Sequence, residues 1–500
     1  MVETQRRRPW TSAPVLVAAG AIVPFAFAPW SFWPLIIPAF ALLFEAWSGA
    51  GPRLAAGRGF WFGLGMFGHG VWWIQVSIHQ FGLPVHAFSI GMTVLFVMFM
   101  ALYPAGVGAI CGGLRLSRPW AFTLGAPALW VMGEALRGWA LSGFPWLLVG
   151  YSQIEGPLTG YAPVAGGLGT SLAATLLAGL LQLGLRVPTS RMLAVLAALA
   201  IIAGGASLAR LEWTQPDGAR ARVALVQGAV PQAIKWQSGY RTQSIALYET
   251  LSTPHWGTDL IIWPETALPA FAEDIPEILT RLVDTSTRAG SALFVGMPRG
   301  DRERGAYFNS VLLLDGSSQR YDKHHLVPFG EYLPLDAWLR PMLDFLSIPM
   351  SDFAPGATQQ DALQSGRFRA GVSICYEDAY ASEVRKSLPD ANVLINVSDD
   401  AWFGDSIAPH QHLEIARMRA LETGRWLLRA TNTGISAIID ARGQLVARSP
   451  QFEAFVLSGE FEPRRGMTPY ARLGDWPVLV LCAGVIVLAW LRRTPKPRMR

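Results

Sequence analysis

The chain has 500 residues, of which 51% are apolar and only 15% charged, with a formal net charge of +5. Charged residues make up about 25% of an ordinary soluble domain, so this composition argues against a wholly soluble chain. The basic excess lies in short segments beside apolar runs and forms no stripe with interleaved aromatics, which argues against a nucleic-acid partner.

Residues 9–209 are almost free of acid and hold several long apolar runs; 210–470 have a globular composition; 476–491 are apolar again. A bilayer core of about 30 Å is crossed by about 20 mostly apolar residues. Candidate spans lie near 11–28, 31–48, 59–78, 87–113, 119–137, 163–185, 191–209 and 475–491. A second span follows the first at once and no convincing cleavage site precedes it, so the first run does not read as a secretory signal.

Arg6, Arg7 and Arg8 precede the first run, and Arg53 and Arg58 follow the second. Arg115 and Arg118 follow the fourth, Arg186 and Arg191 flank the gap after the sixth, and Arg492, Arg493, Lys496, Arg498 and Arg500 close the chain. With eight spans these segments share one side, the cytoplasm, as lysine and arginine do in membrane proteins. The expected organisation is a seven-helix transmembrane bundle (1–209), a catalytic domain (210–470) and an eighth span with a basic tail (471–500). The seventh span then delivers residues 210–474 to the far side, which in a bacterium is the periplasm. Both termini stay cytoplasmic, and the expected location is the bacterial inner membrane. Glu134 and Arg137 fall at the fifth run. Intramembrane charge flags function, but at this i,i+3 spacing mutual neutralisation is the preferred reading.

In the soluble part, apolar segments at Arg222–Val230, Asp259–Trp263, Ala292–Gly296, Asn309–Leu314, Arg369–Ile374, Val393–Val397, Gly434–Asp440 and Ala454–Gly459 read as strands. Stretches such as Ser238–Leu251 and His412–Thr423 read as helices between them. This alternation predicts a layered α/β domain whose Val-, Ile- and Leu-rich sheets are buried on at least one face.

Three segments carry chemistry. Leu260-Ile-Ile-Trp-Pro-Glu265 ends a strand on a carboxylate, where burial raises the pKa towards an acid/base role. Tyr321-Asp-Lys-His-His-Leu-Val-Pro-Phe-Gly-Glu-Tyr332 offers Lys323, a compact charge suited to a developing oxyanion. Gly371-Val-Ser-Ile-Cys-Tyr-Glu-Asp378 runs an apolar strand into Cys375, with the Tyr376 N–H next to it as an oxyanion donor. Cys375 is the single cysteine of the soluble part, so an internal disulfide there is excluded. Taken alone, each of these three residues reads as structural, the cysteine as a small buried hydrophobe.

Glu265, Lys323 and Cys375 occur in the order of the Glu–Lys–Cys triad of the carbon–nitrogen hydrolase (nitrilase) superfamily, which the chain resembles. Within it, the eight-span layout, Trp263-Pro-Glu265, Lys323-His-His-Leu-Val-Pro-Phe-Gly-Glu-Tyr332 and Cys375-Tyr-Glu377 resemble the apolipoprotein N-acyltransferase family. So do Asp400-Ala-Trp-Phe-Gly404, Arg419-Ala-Leu-Glu422 and Arg429-Ala-Thr-Asn-Thr-Gly434. One departure is visible, because the family is expected to carry Ser-Asn-Asp where this chain has Ser398-Asp399-Asp400. The resemblance implies an αββα sandwich and the last step of bacterial lipoprotein maturation. In that step an acyl chain passes from a phospholipid, typically phosphatidylethanolamine, to the α-amino group of the diacylglyceryl-cysteine of an apolipoprotein. It also implies Glu331 as a supporting carboxylate, Trp236 and Asn309 as pocket residues, and Tyr376 and Glu377 as neighbours of the nucleophile.

No cofactor is expected: His410-Gln-His412 and His324-His325 lack further metal ligands, and there is no nucleotide-binding glycine loop. The apolar stretch Leu335–Phe353 reads either as a lid or membrane contact or as a packed helix, and Phe144-Pro-Trp146 as a lipid guide. Two rival readings are a membrane-tethered amidase using the same triad with water, and a non-enzymatic receptor or transporter. The many spans argue against the first. The intact triad, and the scarcity of polar residues in the spans, argue against the second.

Overall fold

The computed structural model describes residues 9–492 apart from 83, 117, 302, 304, 335, 337–339 and 341–351. The chain divides into two compact units, one of Met1–Ile78, Val85–Leu211 and Arg472–Arg500, the other of His79–Pro84 and Glu212–Ala471.

The first unit is helical, with Ala13–Ile22, Ile36–Trp47, Pro52–Gly70, His86–Leu114, Pro119–Trp139, Ala162–Arg186, Arg191–Leu208 and Trp476–Leu491 as its main elements. By length and composition, His86–Leu114, Thr159–Arg186 and Pro188–Leu208 are long and apolar enough to cross a membrane; Ala13–Ala26, Trp33–Trp47 and Trp476–Leu491 are apolar but shorter. The run expected at 59–78 is divided, Pro52–Gly70 ending before Ile74–Phe81 begins. Close helix approach relies on small residues: a β-carbon on Gly65 would collide with the Val17 carbonyl of the facing helix. Glu134 and Arg137 are both buried. Arg137 donates to the Phe144 carbonyl at 2.7 Å and to that of Trp146. Glu134 accepts from the Val149 N–H at 2.9 Å and the Trp130 indole at 3.0 Å. Both therefore fasten the segment Phe144–Val149. Trp146 is itself buried, so it packs inside the unit instead of offering the ring as a surface guide.

The second unit contains a short ribbon, β1 (Gln215–Pro216) with the last strand, β14 (Arg464–Arg465), and two six-stranded sheets. In chain order the other strands are β2 (Ala221–Gln227), β3 (Leu260–Trp263), β4 (Ala292–Asp301), β5 (Ala306–Leu314), β6 (Arg320–Asp322), β7 (Leu363–Ser365), β8 (Phe368–Ile374), β9 (Val393–Ser398), β10 (Leu427–Thr431), β11 (Ala437–Ile439), β12 (Leu445–Arg448) and β13 (Phe455–Phe461). The sheet orders are β13-β2-β3-β4-β5-β6 and β12-β11-β10-β9-β8-β7. At the centre of each, three strands run parallel, β2-β3-β4 and β8-β9-β10, flanked by antiparallel partners.

The sheets pack face to face. Val223, Leu225, Ile262, Phe294 and Val311 of one share a core with Val372, Ile374, Ile395, Val397 and Leu428 of the other. Alternate residues point outwards: Val226, Ile261 and Val295 meet Ile245 and Leu282 of the helices Ser238–Ser252 and Pro276–Ala289. On the far side, Leu394, Leu427 and Ile439 meet Leu413 and Ala416 of the helix Ala408–Thr423. The result is the expected αββα layering. Strands covered on both faces read as continuous apolar runs instead of alternating ones.

Candidate active site

The cluster forms where parallel strands end, the position at which α/β sheets leave side chains and backbone groups unpaired. Glu265 follows β3, Cys375 follows β8, Asp399 follows β9 and Asn432 follows β10. Lys323 directly follows β6, and Asn309 lies within β5. A β-carbon at Gly296 on β4 would strike the Pro264 carbonyl, so the Glu265 turn sits in space that only glycine leaves open.

Glu265 is 7% exposed. Its Oε1 accepts from Asn309 Nδ2 at 2.7 Å and its Oε2 from the Asp399 backbone N–H at 2.9 Å. Lys323 Nζ lies 3.7 Å from Glu265 Oε1 and 2.8 Å from Glu331 Oε1. Asn309 Nδ2 also reaches Glu331 Oε1 at 3.1 Å, and Glu331 Oε2 accepts the Val327 N–H at 2.9 Å. Asn309 thus bridges two carboxylates as a holder of their positions, a role that its expected place in a pocket did not specify. Burial raises the pKa of Glu265; Lys323 opposes the rise, while Glu331 and Asp399 add to it. Burial works against the charge of Lys323, but Glu331 and Glu265 outweigh it and hold the ammonium above its ordinary range. A carboxyl lifted in pKa beside a fixed cation is suited to proton transfer next to an oxyanion site.

Cys375 is buried and begins the 3-10 turn Cys375–Ala379 with φ at +51°. A non-glycine residue there carries about 1–3 kcal/mol of strain, tolerated where surrounding contacts fix it. Burial pushes the thiol well above its usual range; the charge of Glu265 adds to this and Lys323 opposes it, so the sulfur lies within the field of both. Glu377 secures the turn. It accepts from the backbone N–H groups of Ile374 (2.8 Å), His324 (2.7 Å) and His325 (2.9 Å), and from the Tyr321 hydroxyl at 3.1 Å. The carboxyl two residues after Cys375 therefore also ties the segment after Lys323 to the turn. Burial pushes Glu377 up to about 7 despite these donors. The Tyr376 ring meets Tyr380 edge-on at 5.2 Å, and Tyr380 lies against His325 at 3.7 Å with the rings tilted by 31°.

Beneath the turn lies a fully buried charge cluster that the sequence reading does not identify. His412 sits 2.9 Å from Asp378 Oδ1 through Nε2 and 2.9 Å from Asp400 Oδ1 through Nδ1. Arg429 pairs with Asp378 at 3.1 Å and Asp400 at 3.0 Å and donates to Asn396 Oδ1. His412 Nε2 and Asn396 Nδ2 lie 3.3 and 3.4 Å from the Cys375 carbonyl, so the cluster grips the strained residue from below. Its signal was in part visible, because Asp400 and Arg429 stand in the motifs quoted above.

Trp236 ends the short helix Gln232–Lys235 and is 51% exposed, outside the hydrogen-bonded cluster. Its neighbour Lys235 is inside, paired with Asp399 at 2.5 Å. The stretch Leu335–Phe353 falls mostly outside the described residues. Phe353 itself donates its N–H to the Glu331 carbonyl at 3.0 Å. Among the described residues no group of three or more His, Cys, Asp or Glu is placed to hold a metal.

The family model described as Carbon-nitrogen hydrolase matches residues 222–466, and that described as Apolipoprotein N-acyltransferase N-terminal domain matches residues 19–180. A protein of Methylococcus capsulatus named apolipoprotein N-acyltransferase is 45% identical over 95% of this chain and 95% of its own length. Relatives of the same name from Pseudomonas aeruginosa (39%, 98% of each chain) and Photobacterium profundum (38%, 92% of this chain and 91% of the relative) are also similar. The chain belongs to the apolipoprotein N-acyltransferase family. It is an acyltransferase, with a helical unit and a carbon–nitrogen hydrolase unit in one chain. The carbon–nitrogen hydrolase model covers both groups of strands that meet at the cluster, and the N-terminal-domain model lies in the helical unit.

Proposed function

We propose that the chain moves an acyl chain from a phospholipid, with phosphatidylethanolamine the expected donor, to the N-terminal amine of a diacylglyceryl-apolipoprotein through a thioester on Cys375. The observation that carries this is the convergence of Glu265, Lys323 and a positive-φ Cys375 at strand ends, in a chain similar over 95% of its length to a relative named apolipoprotein N-acyltransferase.

Glu265 takes the proton of the Cys375 thiol. The thiolate attacks the ester carbonyl carbon, and the carbonyl electron pair moves onto oxygen, where Lys323 and the Tyr376 N–H stabilise it. One such donor is worth roughly 3–4 kcal/mol in hydrolases. The C–O bond breaks, the lysophospholipid leaves with the proton from Glu265, and the acyl group remains as a thioester. The lipoprotein amine then attacks, Glu265 accepts its proton, and the thiol is released as the amide forms. Asn309 and Glu331 hold Glu265 and Lys323 in register, Glu377 holds the turn, and Trp236 serves substrate binding at the exposed rim. The reading places eight spans in the bacterial inner membrane, residues 210–470 in the periplasm and both termini in the cytoplasm, supported by the alternation of basic loops. The helical unit, matched by its own family model, favours a lipid substrate over the small-molecule amidase alternative.

With phosphatidylethanolamine and a diacylated lipopeptide, Cys375→Ala is expected to abolish acylated product. Mixing the wild-type chain with phospholipid alone should leave an acyl adduct on Cys375, detectable by mass spectrometry. Turnover by Cys375→Ala, or an adduct on another residue, would overturn the mechanism.

A further inference from the structure

We propose that Lys235 and Asp399 form a positioning pair that clamps Glu265 at its main chain and its carboxylate while balancing charge beside it; this rests on Glu265 being the base of the reaction above. The two side chains are 2% and 5% exposed and meet at 2.5 Å. Lys235 Nζ also reaches the Glu265 carbonyl oxygen at 3.4 Å, and the Asp399 N–H holds Glu265 Oε2 at 2.9 Å. The pair therefore touches the base at both ends.

The clamp is built from separate elements. Lys235 comes from the short helix after β2, Asp399 from the end of β9, and Glu265 from the end of β3. Asn432, at the end of β10, donates to both Asp399 oxygens at 3.2 Å and exchanges bonds with the Val230 carbonyl and N–H at 2.8 and 3.0 Å. The Ala401 N–H adds a further donor to Asp399 at 3.3 Å. Desolvating two charges is costly, and a buried pair of this kind is not needed for stability alone. A buried pair set against a base has a second effect, because removing either member leaves a net charge next to it.

The charged groups facing Glu265 are Lys323 and Glu331 from the segment after β6, Cys375 from the turn after β8, and Asp399 after β9. Of these, Asp399 is the one that Lys235 neutralises. Asp399 therefore places a negative charge beside the base, and Lys235 compensates it.

The test is the pH profile of kcat/KM for acyl transfer by the full-length chain in liposomes of phosphatidylethanolamine, with a diacylated lipopeptide as acceptor. Glu265 works as a carboxylate, so activity falls on the acid side as it becomes protonated. Lys235→Met leaves Asp399 uncompensated and should move that limb up by about one pH unit; Asp399→Asn should move it down by a similar amount. The double variant Lys235→Met/Asp399→Asn should return it close to the wild-type position. A pair that is only structural would lower stability or rate and leave the limb where it was, which would overturn the proposal. Should Lys235→Met not fold, Asp399→Asn decides, because the amide keeps the shape, the backbone N–H to Glu265 and an acceptor for Lys235. Glu265→Gln run in parallel separates the two ideas. Retained turnover there overturns the base assignment, whereas lost turnover with unmoved limbs overturns only the pair.

Discussion

Glu377 shows how one side chain can hold a site without touching its chemistry. Three backbone N–H groups and the Tyr321 hydroxyl converge on a fully buried carboxyl. Glu377→Ala leaves these donors without that acceptor, each at a cost of about 1–3 kcal/mol. We expect a loss of at least 3 kcal/mol in stability, read as a large drop in thermal midpoint, together with loss of the Cys375 acyl adduct. A variant with the wild-type midpoint would show that the donors find other partners. The Glu377 position was legible in the sequence through the family resemblance, which implies it as a neighbour of the cysteine. The grip on the cysteine carbonyl was not, since Asn396 and His412 acquire meaning only when strands and a helix distant in sequence are stacked.

Among the elements, the buried parallel strands were the readable ones, because two covered faces write a continuous apolar run. The strand β10 escaped the sequence reading for a physical reason: Arg429 interrupts Leu427–Thr431, and a charge at mid-strand reads as a surface position until its buried partners Asp378 and Asp400 are known. The short strands β6, β7 and β12 also went unread, as they lie at or next to sheet edges and carry exposed residues. The helix Ala408–Thr423 brings His412 to the cluster, where burial and Arg429 oppose its charge but Asp378 and Asp400 prevail, raising it to about 9. Its unfolded value is about 6.5. The folded pKa is the higher one, so this stabilisation is complete below about pH 6.5 and is lost as pH rises through about 9. Thermal midpoints measured from pH 6 to 10 should fall across that window in the wild-type chain and fall less in His412→Gln. Equal slopes in the two proteins would refute the assignment of a charged histidine.

For the whole molecule, composition divides the chain into apolar and globular parts, and the structure contains a helical unit and an α/β unit with boundaries close to that division. Side is a different matter from boundary, because it depends on how many times the chain crosses. Among the described residues, three helical stretches are long and apolar enough by themselves, so the proposed eight spans require shorter and more polar helices to cross as well. The loop charges supply the constraint. Arg53 and Arg58 lie after the second run, while the segment 79–86 has no lysine or arginine. Those two segments should therefore face opposite sides. Gly51, Pro84 and Ser317 are exposed, whereas the native cysteines Cys111, Cys375 and Cys482 are buried. Single substitutions Gly51→Cys, Pro84→Cys and Ser317→Cys, probed with a membrane-impermeant maleimide on bacterial spheroplasts, read the sides directly. Eight spans require Pro84→Cys and Ser317→Cys to label on intact spheroplasts and Gly51→Cys to label only after permeabilisation. If Ser317→Cys also needed permeabilisation, the soluble unit would face the cytoplasm, and the crossing count between residues 84 and 317 would be wrong by an odd number.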